Sequence, residues 1–151
     1  MSNAKKVLAV ASAGGHWTQL LLLGEAFNHC DVTYLTTAIN RSAQQTHDKV
    51  IIVTDADLSI KMKLIPLAFQ VLFSVIKFRP DVVISTGAAP GFFAVLFGRI
   101  LGSKTIWIDS LANYSSLSVS GHYASKFCHL SLTQWPNLSD DDKIKHFGSL
   151  L

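Results

Sequence analysis

At 151 residues, 49% of them apolar and 15% charged, the chain holds enough apolar material for one packed domain over residues 1–151, and this excludes a disordered segment. A formal charge of +3 is modest and scattered. Nucleic acid binding wants a dense basic stripe with interleaved aromatics, which is lacking, whereas an anionic membrane surface or a phosphate-bearing ligand suits this charge.

Lys5-Lys6 precedes Val7-Leu8-Ala9-Val10-Ala11, an apolar run too short for export or for a membrane span. Residues 7–12 are expected as a buried strand, followed by the loop Ala13-Gly14-Gly15-His16 and a helix over 17–29. A second strand is expected over 31–36, a polar loop or short helix over 40–48, and a third strand over 50–54. Residues 59–79 read as a long helix despite Pro66, and 81–85 as a fourth strand. The turn Thr86-Gly87-Ala88-Ala89-Pro90-Gly91 opens a helix over 92–101, and a fifth strand follows over 104–109. The remainder is expected as a helix over 115–126, a sixth strand over 128–132 and a short last strand over 145–148.

Short apolar strands alternating with helices predict an α/β fold, a Rossmann-like parallel sheet with helices on both faces. Right-handed crossovers then bring the loops at Gly14, Thr36, Asp55, Gly87 and Ser110 to one edge, where ligands usually sit.

Gly14 and Gly15 let a ligand approach the main chain, and the helix start that follows favours an anion such as phosphate. His16 can donate to that phosphate or accept a proton; the alternative is a tight turn whose histidine only caps or packs. The loop is neither GxGxxG nor GxxxxGK[ST], and the second strand ends in Thr36-Thr37 without an acidic residue for a ribose. Nicotinamide enzymes and nucleoside triphosphatases are therefore disfavoured, and no cofactor is expected. Two small-residue loops on one edge suggest a diphosphate-bearing or glycan-bearing ligand between them, unless both are ordinary strand-to-helix turns.

From Lys61 to Arg79 only a narrow stripe of Lys63, Gln70, Ser74 and Lys77 interrupts the apolar residues. That is greasier than a sheet-covering helix needs, and its basic flanks suit an interfacial helix whose lysines reach headgroups. Lys63, Phe69, Phe73 and Lys77, with Phe92, Phe93 and Phe97 of the next helix, are candidates for membrane or partner contact; the alternative is that both helices pack into the core. Asp109 ends the fifth strand, where a carboxylate can serve as a general base or cap the next helix. Asp55 and Asp57 carry the same two readings. His47 and Asp48 sit in a polar turn and are expected to be solvated. His122, His129 and His146 lack metal-ligand spacing, so no metal site is expected, and GxSxG is absent. Cys30 and Cys128 lie far apart without a CxxC partner, which leaves reduced, buried thiols.

Ala13-Gly14-Gly15-His16-Trp17-Thr18-Gln19-Leu20, the run from Arg79 to Gly87 and Ile108-Asp109-Ser110 together resemble a known family. It comprises the bacterial capsular and exopolysaccharide proteins related to the membrane-recruiting subunit of the bipartite N-acetylglucosaminyltransferase of asparagine-linked glycosylation. Ser118 to Gly121 and Gln134-Trp135 fit as well. The resemblance implies the N-terminal, acceptor-side half of a GT-B glycosyltransferase divided between two chains. It would sit peripherally at the cytoplasmic face of the membrane, bind a polyprenyl-diphosphate-linked sugar and recruit a separate catalytic subunit carrying a UDP sugar. His16 and Asp109 would be catalytic, and Gly14, Gly15, Thr18, Thr86 and Gly87 would line the acceptor diphosphate site. The alternative is a non-catalytic scaffold that anchors its partner. Many relatives carry glutamate at Asp109, and the eukaryotic members carry an N-terminal membrane helix not seen in this sequence. The end at Gly148-Ser149-Leu150-Leu151 falls about where a fused enzyme would pass into its donor domain. Alone, the chain is expected to be inactive.

Overall fold

The protein is described by a computed structural model covering residues 4–37, 49–56, 59–140 and 142–151. The loop expected over 40–48, including His47 and Asp48, and the candidate Asp57 lie outside the described residues. Among the described residues the elements run β1 (Lys5–Ala11), α1 (Gly15–Leu21), β2 (Cys30–Thr36), β3 (Lys49–Ile52), α2 (Lys61–Phe78), β4 (Val82–Gly87), α3 (Ala88–Ile100), β5 (Lys104–Ile108), α4 (Val119–Ala124), β6 (Leu130–Leu132) and β7 (Ile144–Lys145).

The strands form one seven-stranded sheet in the order β3-β2-β1-β4-β5-β6-β7, and every pairing is parallel. The expected parallel sheet is therefore present. Alternation along β1 explains why it lies at the centre. Leu8 and Val10 point to one face, into a core with Leu67, Val71 and Val75 of α2 and with Ala94 and Val95 of α3. Val7, Ala9 and Ala11 point to the other, against Trp17 and Leu20 of α1. A strand buried on both sides needs a continuous apolar run, which β1 has.

Several boundaries differ from the sequence expectation. The first helix stops at Leu21 rather than continuing to residue 29, because the chain tightens into a 3-10 turn over Gly24–Phe27, where glycine weakens the α-helical alternative. The turn expected over 86–91 is compressed to almost nothing. Thr86 and Gly87 are still strand, and α3 begins at Ala88 with Pro90 in its first turn, where a missing N–H costs little. The helix expected over 115–126 is reduced to Val119–Ala124. Cys30 and Cys128 are free, but both are half-buried rather than fully enclosed. Burial pushes the Cys128 thiol up to about 11.

Pro66 lies within α2 on its exposed side, and the helix continues past it. The stripe of Gln70 and Ser74 is structural. The Gln70 amide accepts from Thr54 N–H (2.7 Å) and donates to Thr54 Oγ1 (3.0 Å), while Ser74 Oγ donates to the Gln70 carbonyl (2.8 Å). Leu67, Val71 and Val75 face the sheet, and Met62, Ile65, Phe69, Phe73 and Ile76 face away from it. The second set is spaced i, i+3, i+7, i+11 and i+14, which is one continuous helical face. Leu67 is 0% exposed and Phe69 68%. Leu67→Ala is expected to lower stability by about 2–5 kcal/mol through the cavity it leaves. Phe69→Ala is expected to change it by no more than about 0.5 kcal/mol. Equilibrium urea unfolding of the two variants distinguishes the inner and outer faces.

Candidate functional site

All strands being parallel, their C-terminal ends share one edge. β1 runs on to β2 on one side of the sheet, whereas β4 runs on to β5 on the other, so the order reverses between β1 and β4. A crevice opens at such a switch point, where open α/β sheets hold their ligands. The two loops there are the glycine loop after β1 and the junction of β4 with α3.

They are joined through His16. Its Nδ1 lies 3.1 Å from the Thr86 carbonyl oxygen. A carbonyl can only accept, so Nδ1 carries the proton, and a neutral ring keeps its free lone pair on Nε2. In return Thr86 Oγ1 donates to the His16 carbonyl at 2.7 Å. The half-buried imidazole rests directly on Gly87, where a Cβ would lie 2.4 Å from Nδ1 and 2.6 Å from Cε1. Gly87 has φ 141° and Ala88 φ 67°, two consecutive positive angles that turn strand into helix without a loop. Gly14 has φ 87° and caps α1 without a side chain. Both positions require backbone conformations that only glycine adopts without strain, and at Ala88 the strain is retained.

Beside this contact lies a cavity of about 450 Å3, lined by Ser12, Asp55, Ser59, Ala88, Ala89 and Ser120 among others. Its volume is that of a small-molecule site. The first turn of α3 borders it without a side-chain cap, so the Ala88 and Ala89 N–H groups offer donors and a positive dipole end. Gly14, Gly15, His16, Thr86, Gly87 and Asp55 thus belong to one edge. Thr18, exposed in the first turn of α1, donates its hydroxyl back to the Gly14 carbonyl (3.3 Å).

Asp109 is 2% exposed, with both carboxylate oxygens taken. Oδ1 accepts from Trp107 Nε1 and Ser118 Oγ, and Oδ2 from Asn113 Nδ2 (3.2 Å) and Ser118 N–H (2.9 Å). Ser118 Oγ in turn caps α4 by accepting from Gly121 N–H (2.9 Å). Of the two sequence readings, the geometry favours the capping one. Asp109 closes the Ser110–Ser118 loop and sets where α4 starts.

Gln19 and Gln134 carry a network that sequence reasoning missed. Gln19 donates to Ser110 Oγ (3.1 Å) and accepts from Leu111 N–H (3.1 Å) and from Gln134 Nε2 (2.7 Å). Gln134 also donates to the Asp109 carbonyl (3.0 Å) and accepts from Leu150 N–H (3.0 Å). α1 is thereby tied to the ends of β5 and β6 and to the C-terminal segment. The signal available was the position of Gln19, one turn after His16 on the same short helix.

The apolar candidates separate into two groups. Phe69 and Phe73 are 68% and 66% exposed, and Lys63 and Lys77 are exposed beside them. Phe92, Phe93 and Phe97 instead are half-buried against the core, Phe92 edge-on to Phe127 and Phe93 stacked on Phe97. They pack partly into the core, which is the alternative the sequence left open for this helix. Among the described residues no three His, Cys, Asp or Glu side chains converge on a metal position, and no helix is long and apolar enough to cross a membrane.

The architecture is that of one half of a GT-B glycosyltransferase. Over 94% of this chain it superposes on MurG of Acinetobacter baumannii with a TM-score of 0.79 and 16% identity, spanning 45% of that enzyme. Over 98% it superposes on UDP-N-acetylglucosamine 2-epimerase of Rickettsia bellii with a TM-score of 0.72 and 12% identity, spanning 46% of it. Residues 52–150 match the family described as "Oligosaccharide biosynthesis protein Alg14 like", and the chain belongs to that family. The matched region contains α2, Thr86, Gly87 and Asp109, and begins after the glycine loop. Among curated relatives, the UDP-N-acetylglucosamine transferase subunit ALG14 of Cryptococcus neoformans var. neoformans serotype D is 36% identical over 81 residues, 48% of this chain and 35% of that protein. The subunit of the same name from Yarrowia lipolytica is 26% identical over 106 residues, 66% of this chain and 44% of that protein. The chain therefore spans less than half the length of these relatives.

Gly87→Ala places a methyl group inside the imidazole and is expected to break the bond between Nδ1 and the Thr86 carbonyl. Nitrogen-15 spectra of the imidazole should then lose the single Nδ1–H tautomer of His16 while the amide spectrum of the core strands is retained.

Proposed function

We propose that this chain is the acceptor-side subunit of a two-component glycosyltransferase that uses a UDP sugar, with UDP-N-acetylglucosamine the donor indicated by the names of its curated relatives. The observation that carries the reading is the His16 imidazole, held by Thr86 and Gly87 across the switch point with Nε2 left available. The acceptor is a polyprenyl-diphosphate-linked sugar, its diphosphate against Gly14, Gly15 and the first turn of α3, its glycan in the cavity that Asp55 lines.

Transfer proceeds by direct displacement. The acceptor hydroxyl attacks the anomeric carbon, the bond from that carbon to the UDP oxygen breaks with its electron pair leaving on UDP, and the hydroxyl proton passes to Nε2 of His16. A separate catalytic subunit supplies the UDP sugar, so this chain by itself does not turn over. Asp109 positions the loop beside the site rather than serving as the base. Thr18 supports the glycine loop from within its own helix. The capsular or exopolysaccharide setting implied by the resemblance has no counterpart among the curated relatives named above, and the proposal extends only to lipid-linked glycan assembly.

The protein associates peripherally with the cytoplasmic membrane face through the outer side of α2. Met62, Ile65, Phe69, Phe73 and Ile76 enter the interface, while Lys63 and Lys77 reach anionic headgroups. A non-catalytic scaffold is the competing reading, and it makes the opposite prediction for His16.

His16→Ala is expected to lower transfer by the reconstituted pair about 10²–10⁴-fold without loss of folding or pairing, as measured with a radiolabelled UDP sugar and a lipid-linked acceptor. Unchanged transfer would leave only the scaffold. Phe69→Ser combined with Phe73→Ser is expected to move the protein from the vesicle pellet to the supernatant in co-sedimentation, with its melting temperature held.

A further inference from the structure

We propose that a cavity of about 400 Å3 under the C-terminal half of α2 binds the phosphate headgroup of an anionic membrane lipid. The cavity lies between that helix and the strands β2 and β3, and it shares no lining residue with the cavity beside His16. Thr33, Lys49, Phe73, Ser74, Lys77 and Phe78 line it.

Its charge is of one sign. Lys49 and Lys77 contribute ammonium groups, none of the described lining residues is acidic, and the Lys6 ammonium lies 5.6 Å from the centre of the Phe78 ring. Its depth holds an unsatisfied donor. Thr33 is 3% exposed, and its hydroxyl has no hydrogen-bond partner among the described residues, whereas the neighbouring Ser74 hydroxyl is already spent on the Gln70 carbonyl (2.8 Å). A buried hydroxyl left unpaired is unfavourable, and a phosphate oxygen would satisfy it.

Its position selects a lipid as the carrier of that phosphate. Phe73 lines the cavity and also stands 66% exposed on the outer apolar face of α2. When that face lies in the interface, the cavity opens at headgroup depth, with Lys77 one turn beyond Phe73. Phosphate then meets Lys49, Lys77 and Thr33, and the acyl chains continue along Phe73 into the bilayer. This inference rests on the docking of α2 proposed above.

Co-sedimentation with vesicles of phosphatidylcholine alone, and of phosphatidylcholine with phosphatidylglycerol, tests it. Thr33→Val removes a hydroxyl without altering charge or exposed surface. It is expected to weaken binding to the phosphatidylglycerol vesicles about tenfold, as for loss of a hydrogen bond to a charged group, with phosphatidylcholine binding and melting temperature unchanged. Lys49→Ala with Lys77→Ala is expected to lose about thirtyfold, and more than Lys61→Ala with Lys63→Ala, which removes equal charge at the start of α2. Equal loss in the two lysine pairs, with Thr33→Val binding as wild type, means diffuse attraction and overturns the site. Met62→Ser with Phe69→Ser tests the docking separately. If that variant still binds both kinds of vesicle, the docking fails; if it loses both while Thr33→Val is silent, only the cavity fails. Finally, dihexanoyl-phosphatidylglycerol is expected to shift the Thr33 and Ser74 amide signals, and inorganic phosphate at the same concentration to leave them in place. Equal shifts would assign the site to free phosphate instead of lipid.

Discussion

The seating of the His16 ring on Gly87 is the contact on which the functional edge depends. It joins the segment after β1 to the junction of β4 and α3, the two places where the chain leaves the centre of the sheet in opposite directions. Remove the space above Gly87 and the ring has nowhere to lie. Remove the Thr86 carbonyl and nothing chooses which ring nitrogen holds the proton. One backbone acceptor and one missing side chain therefore fix both the position and the chemical state of the imidazole, with no carboxylate behind it.

Around that contact the chain separates support from chemistry. Asp109 looks like a reactive group in the sequence, yet it and Gln134 are both consumed in holding loops. Asp109 has four donors within the chain, and Gln134 connects β5, α1 and the C-terminal segment. Such fully satisfied polar clusters rigidify the walls of a cleft. What stays available at the edge, among the described residues, is Nε2 of His16 and the main-chain donors of α3.

The fold was legible in the sequence because strands such as β1 carry a continuous apolar run, Val7 to Ala11, and only a sheet covered on both sides explains that. The glycine loop was legible as well, since backbone freedom and a histidine are written in residue types. The ends of elements were not. α4 starts where Asp109 grips Ser118, a contact across nine positions that no local pattern encodes. The collapse of the second loop depends on Gly87 and Ala88 both adopting positive φ, unusual for alanine and invisible to propensity. Phe92, Phe93 and Phe97 carry both readings in the sequence, because composition does not tell which apolar face meets Phe127 and which meets solvent. The two faces of α2 were easier, since one helix offered more apolar positions than one sheet can cover.

That surplus has an evolutionary consequence. In most helices of a globular domain the same residues decide whether the protein folds and what it touches, so a change of partner risks a loss of structure. Here Leu67, Val71 and Val75 answer to the core, and Met62, Ile65, Phe69, Phe73 and Ile76 answer to the surroundings. Selection can exchange the outer set residue by residue, changing what that face touches, while the inner set keeps the same sheet covered. Contact and architecture become separately heritable traits written on a single helix.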